Sequence, residues 1–104
     1  MANNDREVVE GMQYQGADET VTRSIDVSAA GSSPSSVSVV VKDVTNGTAV
    51  TATVMPTGSP SVAGNVITLP PLTALTPGVE YRVEVKFTAG GNILEHYIRV
   101  MGQV

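Results

Sequence analysis

Apolar and polar positions alternate along most of this chain with a period of two, and no twelve-residue window carries a clean helical repeat. The plainest case is Tyr81-Arg82-Val83-Glu84-Val85-Lys86-Phe87, where Tyr81, Val83, Val85 and Phe87 face one way and the charged residues the other. Val21, Ile25 and Val27 alternate with Thr22, Ser24 and Asp26, and Val37, Val39 and Val41 alternate more loosely with Ser38, Val40 and Lys42. In the last strand Leu94, Ile98 and Val100 share a face with His96, and Glu95, Tyr97 and Arg99 share the other. The pattern predicts strands over 7–15, 20–28, 36–45, 48–55, 65–69, 80–88 and 93–101.

Turn chemistry punctuates these strands. Asn46-Gly47 lies between two of them, and that pair is the residue choice a two-residue type I′ hairpin demands, because both central residues need positive φ. Ala89-Gly90-Gly91-Asn92 predicts a second hairpin before the final strand. Residues 56–64, rich in Pro, Gly and Ser, read as a loop or irregular edge, after which Asn65 to Leu69 reads as a short strand ended by Pro70-Pro71. About seven short strands with turns every 8 to 12 residues predict an all-β fold, a single antiparallel β-sandwich spanning 1–104 with a short polar arm at about 1–6.

Length and composition agree. A chain of 104 residues buries roughly 60 to 70% of its unfolded surface, enough for one core without staples. With no cysteine, disulfides and thiolate chemistry are excluded. Charged residues make up 15% of the chain against a usual ~25%, so hydroxyl side chains carry much of its polarity. Residues 1–28 hold six acids and two bases, and the remainder holds four of each, so the whole net charge of −4 lies in the first quarter. A phosphate backbone needs clustered Lys and Arg, and this distribution argues against nucleic acid as a partner. The opening Met-Ala-Asn-Asn-Asp-Arg-Glu carries neither a basic start nor an apolar run, and no stretch approaches the ~20 apolar residues of a spanning helix. The expectation is a chain made in the cytosol and kept there, or leaving it as part of something larger, with no membrane partner.

Leu75-Thr76-Pro77-Gly78-Val79-Glu80-Tyr81-Arg82-Val83-Glu84-Val85 resembles the Leu-x-Pro-Gly-x-x-Tyr-x-Val-x-Val signature of fibronectin type III and related immunoglobulin-like domains. The resemblance implies that Leu75 seals the core, Pro77-Gly78 turns the chain between sheets, and the Tyr81 hydroxyl caps backbone in a tyrosine corner. The tryptophan typical of fibronectin type III is missing, so the likeness is to the immunoglobulin-like class more broadly. In its brevity, its lack of cysteine and its Thr/Ser/Gly-rich style the chain also resembles small immunoglobulin-like virion proteins of tailed bacteriophages. That likeness implies a structural role in a capsid, neck, tail or fibre, in contact with other virion proteins or with copies of itself.

Candidate chemistry is sparse. His96 is the one histidine and sits mid-strand, where packing is the expected role; Asp18-Glu19 reads as a turn rather than half of a metal site. No catalytic residue, cofactor or metal ligand is assigned, although calcium between sandwich loops stays open as an alternative. Gly90-Gly91 joins two strands and so makes no phosphate loop, and Asn46-Gly47-Thr48 serves the turn rather than glycosylation. Tyr14 and Tyr97 are the aromatic rings expected outside the core, the only groups on which a glycan would stack. Sheet edges are the remaining feature: Val8 and Val9 on the first strand, and Ile93 and Tyr97 on the last, are the expected interface by strand addition. A non-enzymatic assembly protein of a virion is the leading expectation. The alternative is an extracellular adhesion or carbohydrate-binding module.

Overall fold

The computed structural model describes residues 7–27 and 34–104, with the side chains of 7–11 left aside. The polar arm at 1–6 lies outside the described residues. The fold is all-β and sandwich-like. One sheet has five strands in the order β1-β8-β7-β3-β4, and the other has three in the order β2-β6-β5. The strands are β1 (Glu7–Gly16), β2 (Ser24–Asp26), β3 (Ser35–Asp43), β4 (Thr48–Ala49), β5 (Ser61–Ala63), β6 (Val66–Thr68), β7 (Glu80–Ala89) and β8 (Asn92–Gln103), with one helical turn, α1 (Thr51–Val54), after β4.

The strongest alternation makes the centre of the large sheet. β7 pairs β8 through ten residues and β3 through seven, so Val83 stands between Val41 and Ile98, and Val85 between Val39 and His96. Inward side chains of that sheet, including Val41, Val83, Val85, Phe87, Ile98 and Val100, meet Ile25, Val27, Ile67 and Leu69 of the small sheet in one core. The sandwich is not purely antiparallel, because β1 runs parallel to β8 from Glu7↔Tyr97 to Gly16↔Gln103, with an irregularity between Glu7 and Met12.

Two expected strands and one expected loop change form. The strand over 48–55 stops at Ala49, and residues 51–54 coil into α1, which carries Val54 to 1% exposure and Met55 to 8%. The ladder to β3 closes with Val50 N–H on the Val41 carbonyl, and the Thr51 hydroxyl then accepts from Val41 N–H, standing in for the next backbone group. Burial of two apolar side chains overrides β-propensity here. The strand over 20–28 is reduced to β2 plus a bridge at Val21↔Leu72. Its partner segment contains Pro70 and Pro71, which have no N–H to donate, so the ladder lapses between Leu69 N–H on the Arg23 carbonyl and the reciprocal Val21–Leu72 pair. Within the stretch read as a loop or irregular edge, Ser61–Ala63 pairs with β6 as an edge strand.

The turns also exchange roles. Gly90 (φ +58°) and Gly91 (φ +81°) form the two-residue connection with both φ positive. Asn46-Gly47 instead ends a four-residue loop between Asp43 and Thr48, in which Gly47 alone has positive φ (+74°) and its N–H bonds the Asp43 carbonyl. The Asp43 carboxylate organises that loop, accepting from Asn46 N–H at 2.9 Å and from Asn46 Nδ2 at 2.7 Å. An Asp at the end of the strand thus holds the chain in a wider turn than the Asn-Gly pair alone predicts.

Candidate functional site

The corner before β7 is the most tightly specified local feature. Leu75 is buried at 2%, Pro77 is exposed, Gly78 has φ +82°, and the Tyr81 hydroxyl accepts Thr76 N–H at 2.8 Å. Gly102 of β8 seats this corner from the other side: Gly78 N–H bonds its carbonyl at 2.9 Å, and its own N–H bonds the Val79 carbonyl at 3.0 Å. Replacing Tyr81 by Phe leaves Thr76 N–H without its partner and the ring in place. The expected cost is about 1 kcal/mol by urea denaturation, and equal stability of the two proteins would remove the hydroxyl from any structural role.

A polar cluster occupies the opposite flank of Gly102. Gln15, 1% exposed, lies on the inward side of β1; its Nε2 donates to the Leu72 carbonyl at 2.7 Å and the Glu19 carbonyl at 3.0 Å, while its Oε1 accepts from Arg23 Nη1 at 2.7 Å. Glu19 closes the turn after β1 through Gly16 N–H on its carboxylate at 2.7 Å. Burial draws the Arg23 guanidinium below its ordinary pKa, and the Glu19 carboxylate opposes that shift; Arg23 stays a cation throughout the accessible pH range. Beside the cluster is an open cleft of about 440 Å³ lined by Tyr14, Gln15, Asp18, Glu19 and Gln103. Sequence reasoning missed this group, whose signal is a glutamine at an inward position of an edge strand.

Of the expected interface residues, Val8 and Val9 lie on β1, an edge strand paired on one side with β8; their side chains are outside the described residues. β8 is not an edge where Tyr97 sits, since Tyr97 stands between Glu7 of β1 and Glu84 of β7. Nor is its ring open: Tyr97 is 9% exposed, and the Arg82 guanidinium lies 3.8 Å above the ring centroid. The expectation of Tyr97 as an exposed stacking or docking ring is corrected on both counts. The cation–π contact and the ion pair from Arg82 Nε to Glu84 at 3.2 Å hold the guanidinium across the ring as a cover. Ile93, at the hairpin tip, is 69% exposed, and Tyr14 is 66% exposed. Among the described rings Tyr14 is therefore the one available to stack on a ligand.

The same outer face carries Lys42, Arg82 and Arg99 in one cross-strand row, with Lys86 two rows on. Like charges directly opposite one another repel. Glu84 relieves the first two, lying 3.9 Å from Lys42 and 3.2 Å from Arg82.

His96 packs edge-on against Phe87, with centroids 5.0 Å apart and an interplanar angle of 89°. Among the described residues no three His, Cys, Asp or Glu side chains gather closely enough to hold a metal, and no helix is long and apolar enough to cross a membrane. Among the described residues the arrangement offers backbone at sheet edges and an outer face on which Arg82 covers Tyr97 and Glu84 pairs with Lys42 and Arg82. Neither a protein-family model, nor a curated protein, nor a solved structure matches this chain.

Proposed function

We propose that this chain is a non-enzymatic structural or assembly protein that acts through protein–protein contacts, a bacteriophage virion component built on an immunoglobulin-like sandwich. One observation carries the reading. β1 is ten residues long, bounds the large sheet, and leaves one side of its backbone without a strand partner among the described residues. An edge of that length is a template for a strand from a neighbour, and its acidic flank at Glu7 and Glu10 would select which neighbour approaches. The corner at 75–81 and the phage-like composition support the class and the setting.

Sedimentation of the full-length chain over a wide concentration range tests this reading, alongside a Val8→Lys/Val9→Lys variant that places two charges on the β1 edge. The expected result is a discrete symmetric oligomer in the wild type that dissociates in the variant. An oligomer indifferent to these charges, or a monomeric wild type, removes β1 as the assembly edge. Glycan binding by a monomer, lost on Tyr14→Ala, would replace the reading with a carbohydrate-binding module.

A further inference from the structure

A second sheet edge is open in the middle of the fold. β4 covers β3 only at Lys42 and Asp43, and the chain then departs into α1. In an antiparallel ladder, alternate residues turn their N–H and C=O to opposite sides of the strand. Val41 turns both groups away from β7, toward Thr51 Oγ1 and Val50 N–H, so Val39 turns its own N–H and C=O to that same side, where β4 has ended. The Val37 carbonyl points the same way. Among the described residues no strand faces these groups. Above them a bulge interrupts the register between Ser35 and Ser38, with Ser36 at φ +54°, so the open stretch is residues 37–40.

We propose that this stretch is a homodimer contact, in which two copies pair β3 antiparallel about a two-fold axis at Ser38. That placement sets Val39 N–H of each copy opposite the Val37 carbonyl of the other, with the two Ser38 side chains facing each other on the outer surface. The second copy is the occupant because the stretch carries no charge of its own to repel an identical strand and its free N–H and C=O groups match those of a copy related by the two-fold axis. It reads Val-Ser-Val-Val, with no charge and no proline; the nearest charge along the strand is Lys42, four residues from the axis, and across the sheet Lys86 of β7 stands opposite Ser38 on the side away from the second copy. Small hydroxyls meet at the axis, and Val40, 40% exposed, lies beside them. The remaining edges are less suited to self-pairing: β1 carries Glu7 and Glu10, β2 ends on Asp26, and β5 is three residues bounded by Pro60 and Gly64. A contact of this length is isologous and weak, and it joins two five-stranded sheets into one. It does not rest on the β1 reading, and it gives an assembly a second, differently directed contact.

Ser38 permits a charge-swap test without touching the core, since its side chain is exposed. Ser38→Lys and Ser38→Asp variants of the full chain are compared with wild type by sedimentation equilibrium and by hydrogen exchange at Val39. In wild type, Val39 amide protection is expected to rise with protein concentration in step with dimer. Each variant alone is expected to dimerise about fivefold more weakly or worse, and a one-to-one mixture of the two to recover or exceed wild-type association. A chain monomeric at all accessible concentrations overturns the proposal. So does a dimer that both variants form as well as wild type, and if that dimer yields to the Val8→Lys/Val9→Lys change it belongs to β1 instead.

Discussion

Gly102→Ala is expected to destabilise the domain by about 3 kcal/mol and to lower its melting temperature by roughly 15 °C. The reason is a collision between two stretches of main chain. A Cβ built on Gly102 falls directly onto the Thr76 carbonyl oxygen, with the Leu75 side chain next nearest. Neither side can give way cheaply. Gly102 is tied to the corner by its bonds to Gly78 and Val79, and Thr76 is fixed by its N–H on the Tyr81 hydroxyl, so relief on either side breaks a buried or partly buried hydrogen bond. Thermal unfolding by circular dichroism of Gly102→Ala beside Gly47→Ala provides the comparison. Gly47 has open space around its missing Cβ, and its substitution carries only the cost of positive φ. A Gly102→Ala protein no less stable than Gly47→Ala would mean that the corner and β8 do not meet as closely as described.

That glycine also marks where the sequence stops being legible. The central strands could be read from alternation alone because β7 and β8 have one buried face each, and burial of one face fixes the parity of every residue on the strand. The corner at 75–81 was legible because a positive φ at Gly78 and a tyrosine three residues later form a local pattern. Gly102 has no such local sign. Its role depends on a partner more than twenty residues away, and nothing adjacent to it in the chain announces a close approach. The same holds for α1, where Thr51-Ala52-Thr53-Val54 favours a strand by composition and is coiled by the need to bury Val54 and Met55. Parity puts Tyr97 on the outer face of the sheet, yet it is buried, because Arg82 of the neighbouring strand lies across its ring. Parity tells which face a side chain takes and not what another strand lays over it. The open stretch of β3 was hidden for the same reason, since it depends on where β4 ends, and 48–55 reads as a full partner strand.

The polar cluster at Gln15 leads to the second large effect, and to an explanation of why an inward position holds an amide. Gln15 pairs with Gly102 across β1 and β8, and its side chain fills a buried space on the inward side of β1, beside the Thr76 carbonyl that closes over Gly102. That space is bordered by main-chain carbonyls, those of Leu72 and Glu19, which need donors once water is excluded. An amide nitrogen supplies two N–H groups, and both are used; the amide oxygen then faces outward and takes Arg23. Three groups of the protein thus bond to one side chain, and the Leu72 carbonyl also takes Val21 N–H. Gln15→Met, which preserves length and volume, is expected to cost about 2 kcal/mol, because it takes one of two donors from the buried Leu72 carbonyl, which keeps Val21 N–H, and leaves a partly buried cation without its acceptor. Arg23→Met alone is expected to cost about 1 to 2 kcal/mol, leaving the Gln15 oxygen without a donor while removing a charge that burial already disfavours. The double variant is expected to be more stable than the sum of the two losses predicts by about 1 kcal/mol, since the charge stranded by the first change is absent after the second. Urea denaturation of the four proteins closes this cycle. Strict additivity would mean that Gln15 and Arg23 act independently, and that β1 is held to the small sheet by its apolar contacts and its ladder to β8 alone.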